Sequence, residues 1–393
     1  MKRSRFRIFI YWCILIAIVA AVSETTGYVV MLRESKIGID SKGDIDSSYD
    51  FLNNSNYFHV RGMLMGDTTP AQLPRYLAQP YMAYIAYPRF AKYGQQEHNE
   101  DGYRGKRVPL ERDGKFRILC MGGSTTYGNG VRRWQQSYPA QLDSLLNVYC
   151  ATVPGFLEKY KGVEVLNAGV EAGTSAEELS QYIFKYHYYK PDMIILQTGG
   201  NDALINTDDH NYQPDYTHYR RMDFNLAPLP PRSRWLLKSY FCSYVIIRLF
   251  FSSVAEHPFY KFEKDGSTAY CRWNHFNVDS LIKSGQYDYY AFNHNFNALM
   301  HELKSDSVRV LLMPFVLNPS SEMVKGNPMY RENVKLANGM IESAASTYGI
   351  DFLNFTSDSV PYEKYAIDDC HLNATGEHLK AEVVLRKVTN IIK

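Results

Sequence analysis

FRILCMGGSTTYGNG, residues 116–130, runs an apolar segment into two glycines and then a serine. Residues 118–121 (ILCM) are short, unbroken and followed by Gly122 and Gly123, the pattern of a buried strand. Glycine at that point lets the backbone turn sharply and lets another group approach closely. Ser124 then stands just past the carboxyl end of a strand, where open α/β sheets place their ligands. This makes Ser124 a candidate nucleophile whose partners must come from elsewhere in the chain.

A regular alternation starts here and continues downstream. Strands are predicted at 117–121, 163–167, 192–198, 308–314 and 350–355. A helix near 138–149 has Ser137 as N-cap and Pro139 in its first turn, where the missing N–H costs least. Ser175-Ala176-Glu177-Glu178 reads as the capping box of the next helix, with Leu179, Tyr182, Ile183 and Tyr186 as its apolar stripe. A helix near 330–348 follows the fourth strand. The last helix carries Ala381, Val384, Leu385, Val388 and Ile392 on one face. Five short apolar strands separated by helices predict an α/β fold with a parallel sheet covered on both faces.

At 393 residues the chain can bury one large domain and an accessory region. A formal charge of +2 gives no footprint for nucleic acid. The six cysteines include no C-x-x-C pair and no spacing of the metal-binding kind, so neither a metal nor another cofactor is expected. Cys120 and Cys370 read as small buried side chains, and Cys242 with Cys271 is a candidate disulfide.

The N-terminus, MKRSRFR, is basic, and residues 8–22 are almost wholly apolar. The segment is expected to be an uncleaved membrane anchor, with a cleavable signal peptide ending near Ala21-Val22-Ser23 as the other reading. Lys2, Arg3, Arg5 and Arg7 would face the cytosol and the rest would lie outside it, on the periplasmic or extracellular side. Three regions are expected: residues 1–32 as basic tip and anchor, 33–113 as a Tyr-rich extension packed on the domain, and 114–393 as the domain itself. An insertion at about 203–300 interrupts the last of these. Its apolar stretch 235–255 predicts a cap or lid helix, ahead of a helix dipping into a membrane and a second span.

Three strand ends carry small or polar groups: Ser124, then Ala172-Gly173-Thr174, then Asn201. Asp368-Asp369-Cys370-His371 precedes the last helix. In a parallel sheet all of these lie on one edge, which would then hold the parts of an acyl-transfer site. A serine needs a base, and His371 suits that role because free imidazole titrates at about 6.5. Asp368 can fix the imidazole tautomer, while Asn201 and backbone N–H groups can bind an oxyanion. Taken singly, Ser124 can equally cap a helix, Asn201-Asp202 can be a turn, and His371 can be a surface histidine. The glycines do not suit a phosphate, because no Gly-Lys-Ser/Thr follows them.

Together these blocks resemble the SGNH (GDSL-like) hydrolase superfamily. Gly122-Gly123-Ser124-Thr125-Thr126, Asn167-Ala168-Gly169-Val170, Gly199-Gly200-Asn201-Asp202 and Asp368-Asp369-Cys370-His371 stand in the family's order. Gly102-Tyr103-Arg104-Gly105 also resembles a loop of membrane-anchored, envelope-facing members. The resemblance covers roughly residues 80–393. It implies a flavodoxin-like three-layer α/β/α sandwich and a Ser124–His371–Asp368 triad, with Asp369 a weaker candidate than Asp368. The implied oxyanion hole is made of Ser124, Asn201 and either Ala172 or Gly173. The family's second-block glycine falls where this chain has Ala172, one residue before Gly173.

The expected function is a serine esterase acting on an acyl group, O-acetyl above all, of an envelope glycan or other cell-surface molecule. An acyltransferase working onto a glycan and a non-catalytic glycan-binding protein are the alternatives.

Overall fold

The computed structural model describes residues 2–34, 57–65, 76–79, 81–86, 88–89, 91–92, 95–153, 155–206, 216, 228–252, 255 and 287–392. They form two compact units, Met1–Ala78 with Arg220–Tyr260, and Gln79–Tyr219 with Lys261–Lys393. The division falls inside the 33–113 stretch expected to be one extension. It also groups part of the insertion with the N-terminal residues. Cys242 is a free thiol, and Cys271 lies outside the described residues.

The first unit is helical. α1 (Lys2–Glu34) and α2 (Tyr57–Met65) pack with a helix at Tyr240–Phe250. Met31, Tyr57, Phe58, Val60, Leu64, Leu237 and Ile247 form their shared core. The expected cap helix therefore has packing partners in α1 and α2, whose apolar residues supply the surface its own stripe needs. From Phe6 to Glu34, α1 is long and apolar enough to cross a membrane, the one such helix among the described residues. The Tyr240–Phe250 helix has 11 residues, about 16 Å at 1.5 Å per residue, too short for a second span.

The second unit is built on the parallel sheet. Its strands are β1 (Phe116–Gly122), β2 (Val163–Gly169), β3 (Met193–Gln197), β4 (Arg309–Met313) and β5 (Asp351–Phe352), in spatial order β2-β1-β3-β4-β5. The last is two residues long against the predicted six, because the chain leaves the ladder after Leu353 N–H bonds Leu312 O. Register aligns Gly122 with both Gly169 and Gln197, and Gln197 with Met313. The carboxyl ends of four strands therefore end in one row.

Side chains alternate across this sheet with the period of two that strands impose. Ile118, Cys120, Met193, Ile195, Leu311 and Met313 face α4 (Tyr138–Cys150) and α9 (Ala374–Ile391), meeting Leu142, Leu146, Val384 and Val388. Leu119, Met121, Ile194, Leu196 and Leu312 face α5 (Ser175–Phe184), α7 (Tyr287–Ser305) and α8 (Pro328–Tyr348). The sequence reading missed α7, although Phe292, Phe296, Leu299, Met300 and Leu303 bury at helical spacing. Cys120 and Cys370 are buried, as expected of small apolar side chains.

At the amino end of the sheet, Arg117 is fully buried and pairs with Glu164 at 2.6 Å. It also donates to Pro109 O at 2.8 Å and to Tyr189 O, tying the preceding loop to β1. Breaking a buried pair leaves an uncompensated charge. Glu164→Ala is therefore expected to destabilise by roughly 3–5 kcal/mol. Urea unfolding would show this as a lower midpoint at unchanged slope.

Candidate active site

β1 ends at Gly122, whose φ of +149° and tight surroundings suit only glycine: an added Cβ would lie 2.3 Å from Gln197 O. The turn releases Ser124 as the first residue of the one-turn helix α3 (Ser124–Tyr127). His371 Nε2 lies 2.7 Å from Ser124 Oγ, and His371 Nδ1 lies 2.7 Å from Asp368 Oδ2. Asp368 Oδ1 accepts the N–H groups of His371 at 2.8 Å and Cys370 at 3.0 Å. A strand end and a loop before α9, far apart in the chain, thus bring hydroxyl, imidazole and carboxylate into one line.

The electrostatics suit a proton relay. Burial pushes the Asp368 carboxyl up, but the hydrogen bond and charge of His371 outweigh it and hold the pKa below the usual carboxylate range. Burial would push the His371 imidazole down. The Cys370 sulfur and the Asp368 carboxylate oppose this, and the result is a pKa raised well above the usual histidine value. Asp368 is the effective partner, because the Cys370 thiol is itself pushed up to about 11 and stays neutral near neutral pH. Ligand atoms of Asp368, Asp369, Cys370 and His371 lie within 4.8 Å of one another. Both His371 nitrogens are already engaged by Ser124 and Asp368, which favours proton transfer over metal binding.

Asn201 enters from α6 (Gly200–Ile205), two residues beyond the left-handed Gly199 that follows β3. Its Nδ2 donates to Gly173 O at 2.8 Å, and one N–H of that amide remains to point elsewhere. A Cβ on Gly123 would lie 2.6 Å from the same nitrogen, so the amide sits against the nucleophile turn. In the second block, Gly173 N–H is used by Val170 O at 3.0 Å. Ala172 takes the left-handed φ of +57°, a conformation that explains why glycine is the easier residue there. Among the described residues, the N–H groups of Ser124 and Ala172 have no hydrogen-bond acceptor.

Several buried polar residues hold this arrangement and were not foreseen. Asp202 accepts Ser175 Oγ at 2.6 Å and both of its oxygens face Ser175 N–H, so the second and third blocks are tied together. Burial pushes the Asp202 carboxyl up to about 6 despite the hydrogen bonds from Ser175. The capping box is shifted by one residue: Thr174 is the N-cap and Glu177 accepts its N–H at 2.9 Å, which frees Ser175 for Asp202. Lys380 donates to Thr125 O at 3.0 Å and Gln197 Oε1 at 2.6 Å, bracing the turn behind Ser124. Burial pushes its ammonium down to about 8, against the pull of Glu377. Both residues lie on the buried stripe of α9, and a charge on such a stripe was the available signal.

Arg104 clamps the chain beyond α3. It donates to Tyr127 O at 2.8 Å, to Gly128 O and to Val131 O at 3.0 Å, and pairs with buried Glu97 at 2.9 Å. Asn99 shapes the loop before it, with Oδ1 accepting Asp101 N–H at 2.9 Å and Tyr103 N–H at 3.0 Å. Asn318 does the same service for the histidine loop, donating to Asp368 O at 3.0 Å and Asp369 O at 2.7 Å.

A family model for the GDSL-like lipase/acylhydrolase family matches residues 120–379. An acetylxylan esterase from Xylanibacter ruminicola is 29% identical over 119 residues, 28% of this chain and 22% of that protein. Among solved structures, an acetylxylan esterase from Geobacillus stearothermophilus is 16% identical with a TM-score of 0.40, covering 70% of this chain and 95% of its own. A GDSL-like lipase from Bacteroides thetaiotaomicron is 13% identical with a TM-score of 0.39, covering 72% of this chain and 93% of its own.

Proposed function

The chain belongs to the GDSL-like lipase/acylhydrolase family, enzymes of ester-bond hydrolysis, and we propose that it removes acetyl groups from a carbohydrate through Ser124, His371 and Asp368. The observation that carries the triad is the pair of 2.7 Å contacts on the two nitrogens of His371. Ser124 Oγ attacks the acyl carbonyl as His371 Nε2 takes its proton. Asp368 holds the other N–H and stabilises the imidazolium. The Ser124 and Ala172 N–H groups and the second N–H of Asn201 donate to the oxyanion, with Gly173 serving through its carbonyl as a brace for Asn201. As the bond to the sugar breaks, His371 gives the proton to the leaving sugar oxygen, which departs as a hydroxyl. Water, activated by the same imidazole, then cleaves the acyl-enzyme to acetate.

The likeness to the Xylanibacter acetylxylan esterase supports acetylated carbohydrate as the substrate class. The apolar α1 supports a membrane-anchored chain, with the basic N-terminal tip in the cytosol and the Ser124 domain on the other side. Release of acetate from acetylated xylo-oligosaccharides, read by mass, tests the reading. Absence of release from these and from small activated acetyl esters would reject it.

The pH profile carries a sign. The base works only as neutral imidazole, so turnover falls as pH drops through the His371 pKa. That pKa is raised, which places the acid limb above the ordinary histidine value of about 6.5. Asp368→Asn removes the carboxylate that favours the charged ring and is expected to move the limb to lower pH. An unmoved limb would remove Asp368 from the role.

A further inference from the structure

We propose that the Arg234–Lys238 turn and the Tyr240–Phe250 helix form a collar that lies on the lipid surface where α1 leaves the membrane. The inference rests on the reading of α1 as a membrane anchor.

The argument starts from length. A hydrocarbon core of about 30 Å takes about 20 helical residues. Counted from Ile8, where the apolar run begins, such a span ends near Gly27. The apolar side chains of α1 before that point, including Phe9, Trp12, Ile16, Val19 and Val22, are exposed. The collar meets α1 at the end of this count. Glu24, the one acidic residue to interrupt the apolar run, accepts Tyr240 N–H at 2.8 Å and the Ser239 hydroxyl. A Cβ on Gly27 would lie 2.4 Å from Phe241 N, so the two backbones touch there. Glu24 thus has partners at the depth where an isolated carboxylate would be costly.

The outer face of the collar then continues the lipid-facing surface of α1. Phe241, Val245 and Leu249, spaced by four, share one side of the helix, opposite buried Ser243 and Ile247. Phe241 is 43% exposed, Leu249 69% and Trp235 66%. Tyr28 is exposed on α1 and packs edge-to-face against Tyr240 at the start of the helix, an aromatic pair of the kind found at membrane interfaces. Exposed Arg232 and Lys238 flank Trp235 and complement anionic headgroups. An apolar, aromatic and cationic face adjoining a candidate span fits the surface of the bilayer that the span crosses.

Single-tryptophan variants test this in the full chain, reconstituted in nanodiscs that contain anionic lipid. One keeps Trp12 and the other keeps Trp235, with the remaining tryptophans changed to Phe. Lipids brominated near the headgroup end of the acyl chain are expected to quench Trp235 by roughly twofold, and lipids brominated near the middle of the acyl chain are expected to quench Trp12, which the count from Ile8 places about four residues inside the span. Trp12 quenched with Trp235 unaffected overturns the collar and leaves the anchor standing. Trp12 unaffected overturns the anchor and the collar with it. A photoactivatable phospholipid with its reactive group near the headgroup checks the unaltered chain. Crosslinks are expected within residues 232–250, and crosslinks to α1 alone would overturn the proposal.

Discussion

Ser124→Ala is expected to lower ester turnover by a factor on the order of 10⁶, with the fold intact. In the proposed triad only the hydroxyl would bond to the acyl carbon, and alanine removes it without adding bulk. Oγ touches His371 at 2.7 Å, so the variant loses the nucleophile and leaves the imidazole with no proton to take. The effects of Ser124 and His371 should not add, because they perform one step together. The double variant Ser124→Ala with His371→Ala should therefore be about as slow as either single variant. A fluorophosphonate should label the native chain at Ser124 and fail to label the variant. Turnover retained in Ser124→Ala would place the chemistry on another group and end the assignment.

Asn201→Ala is expected to lower turnover by roughly 10²–10³ while leaving KM little changed. An oxyanion donor strengthens as charge develops on the carbonyl oxygen, so its loss falls on the transition state more than on bound substrate. The position of the amide depends on a backbone with no side chain opposite it. A Cβ on Gly123 would stand 2.6 Å from Asn201 Nδ2. Gly123→Ala should therefore reproduce much of the Asn201→Ala loss by displacing the amide, even though Ser124, His371 and Asp368 are untouched. A near-native rate in Asn201→Ala would assign the oxyanion to backbone N–H groups alone.

Much of this site was legible in order along the chain. Each catalytic candidate sits at the end of a predictable element: Ser124 after β1, Asn201 after β3, His371 before α9. A parallel sheet brings those ends to one edge whatever the loops between them do. The support beneath them was not legible. Asp202 with Ser175, Lys380 with Thr125 and Gln197, and Arg104 with the carbonyls of Tyr127, Gly128 and Val131 all join residues far apart in sequence. None follows a local period, because side-chain contacts across elements depend on how the elements pack.

The second block shows the same boundary at one residue. Sequence narrowed the donor to Ala172 or Gly173 and could go no further, since either backbone carries an N–H. In the folded chain Gly173 spends its N–H on Val170 O, whereas Ala172 sits at φ +57° with no such bond, which is why Ala172 is the proposed donor.

The alternating α/β pattern, the parallel sheet and the candidate acid-base-nucleophile set were readable along the chain, because hydrophobic period and residue chemistry are local properties. So was the apolar N-terminal helix. Only the tertiary structure decided that the Tyr240–Phe250 helix packs with α1, that the capping box starts at Thr174, that α7 covers the sheet, and which N–H groups of the loops stay unbonded. Those outcomes turn on competition among distant apolar faces and hydrogen-bond partners, and no local stretch of sequence carries that information.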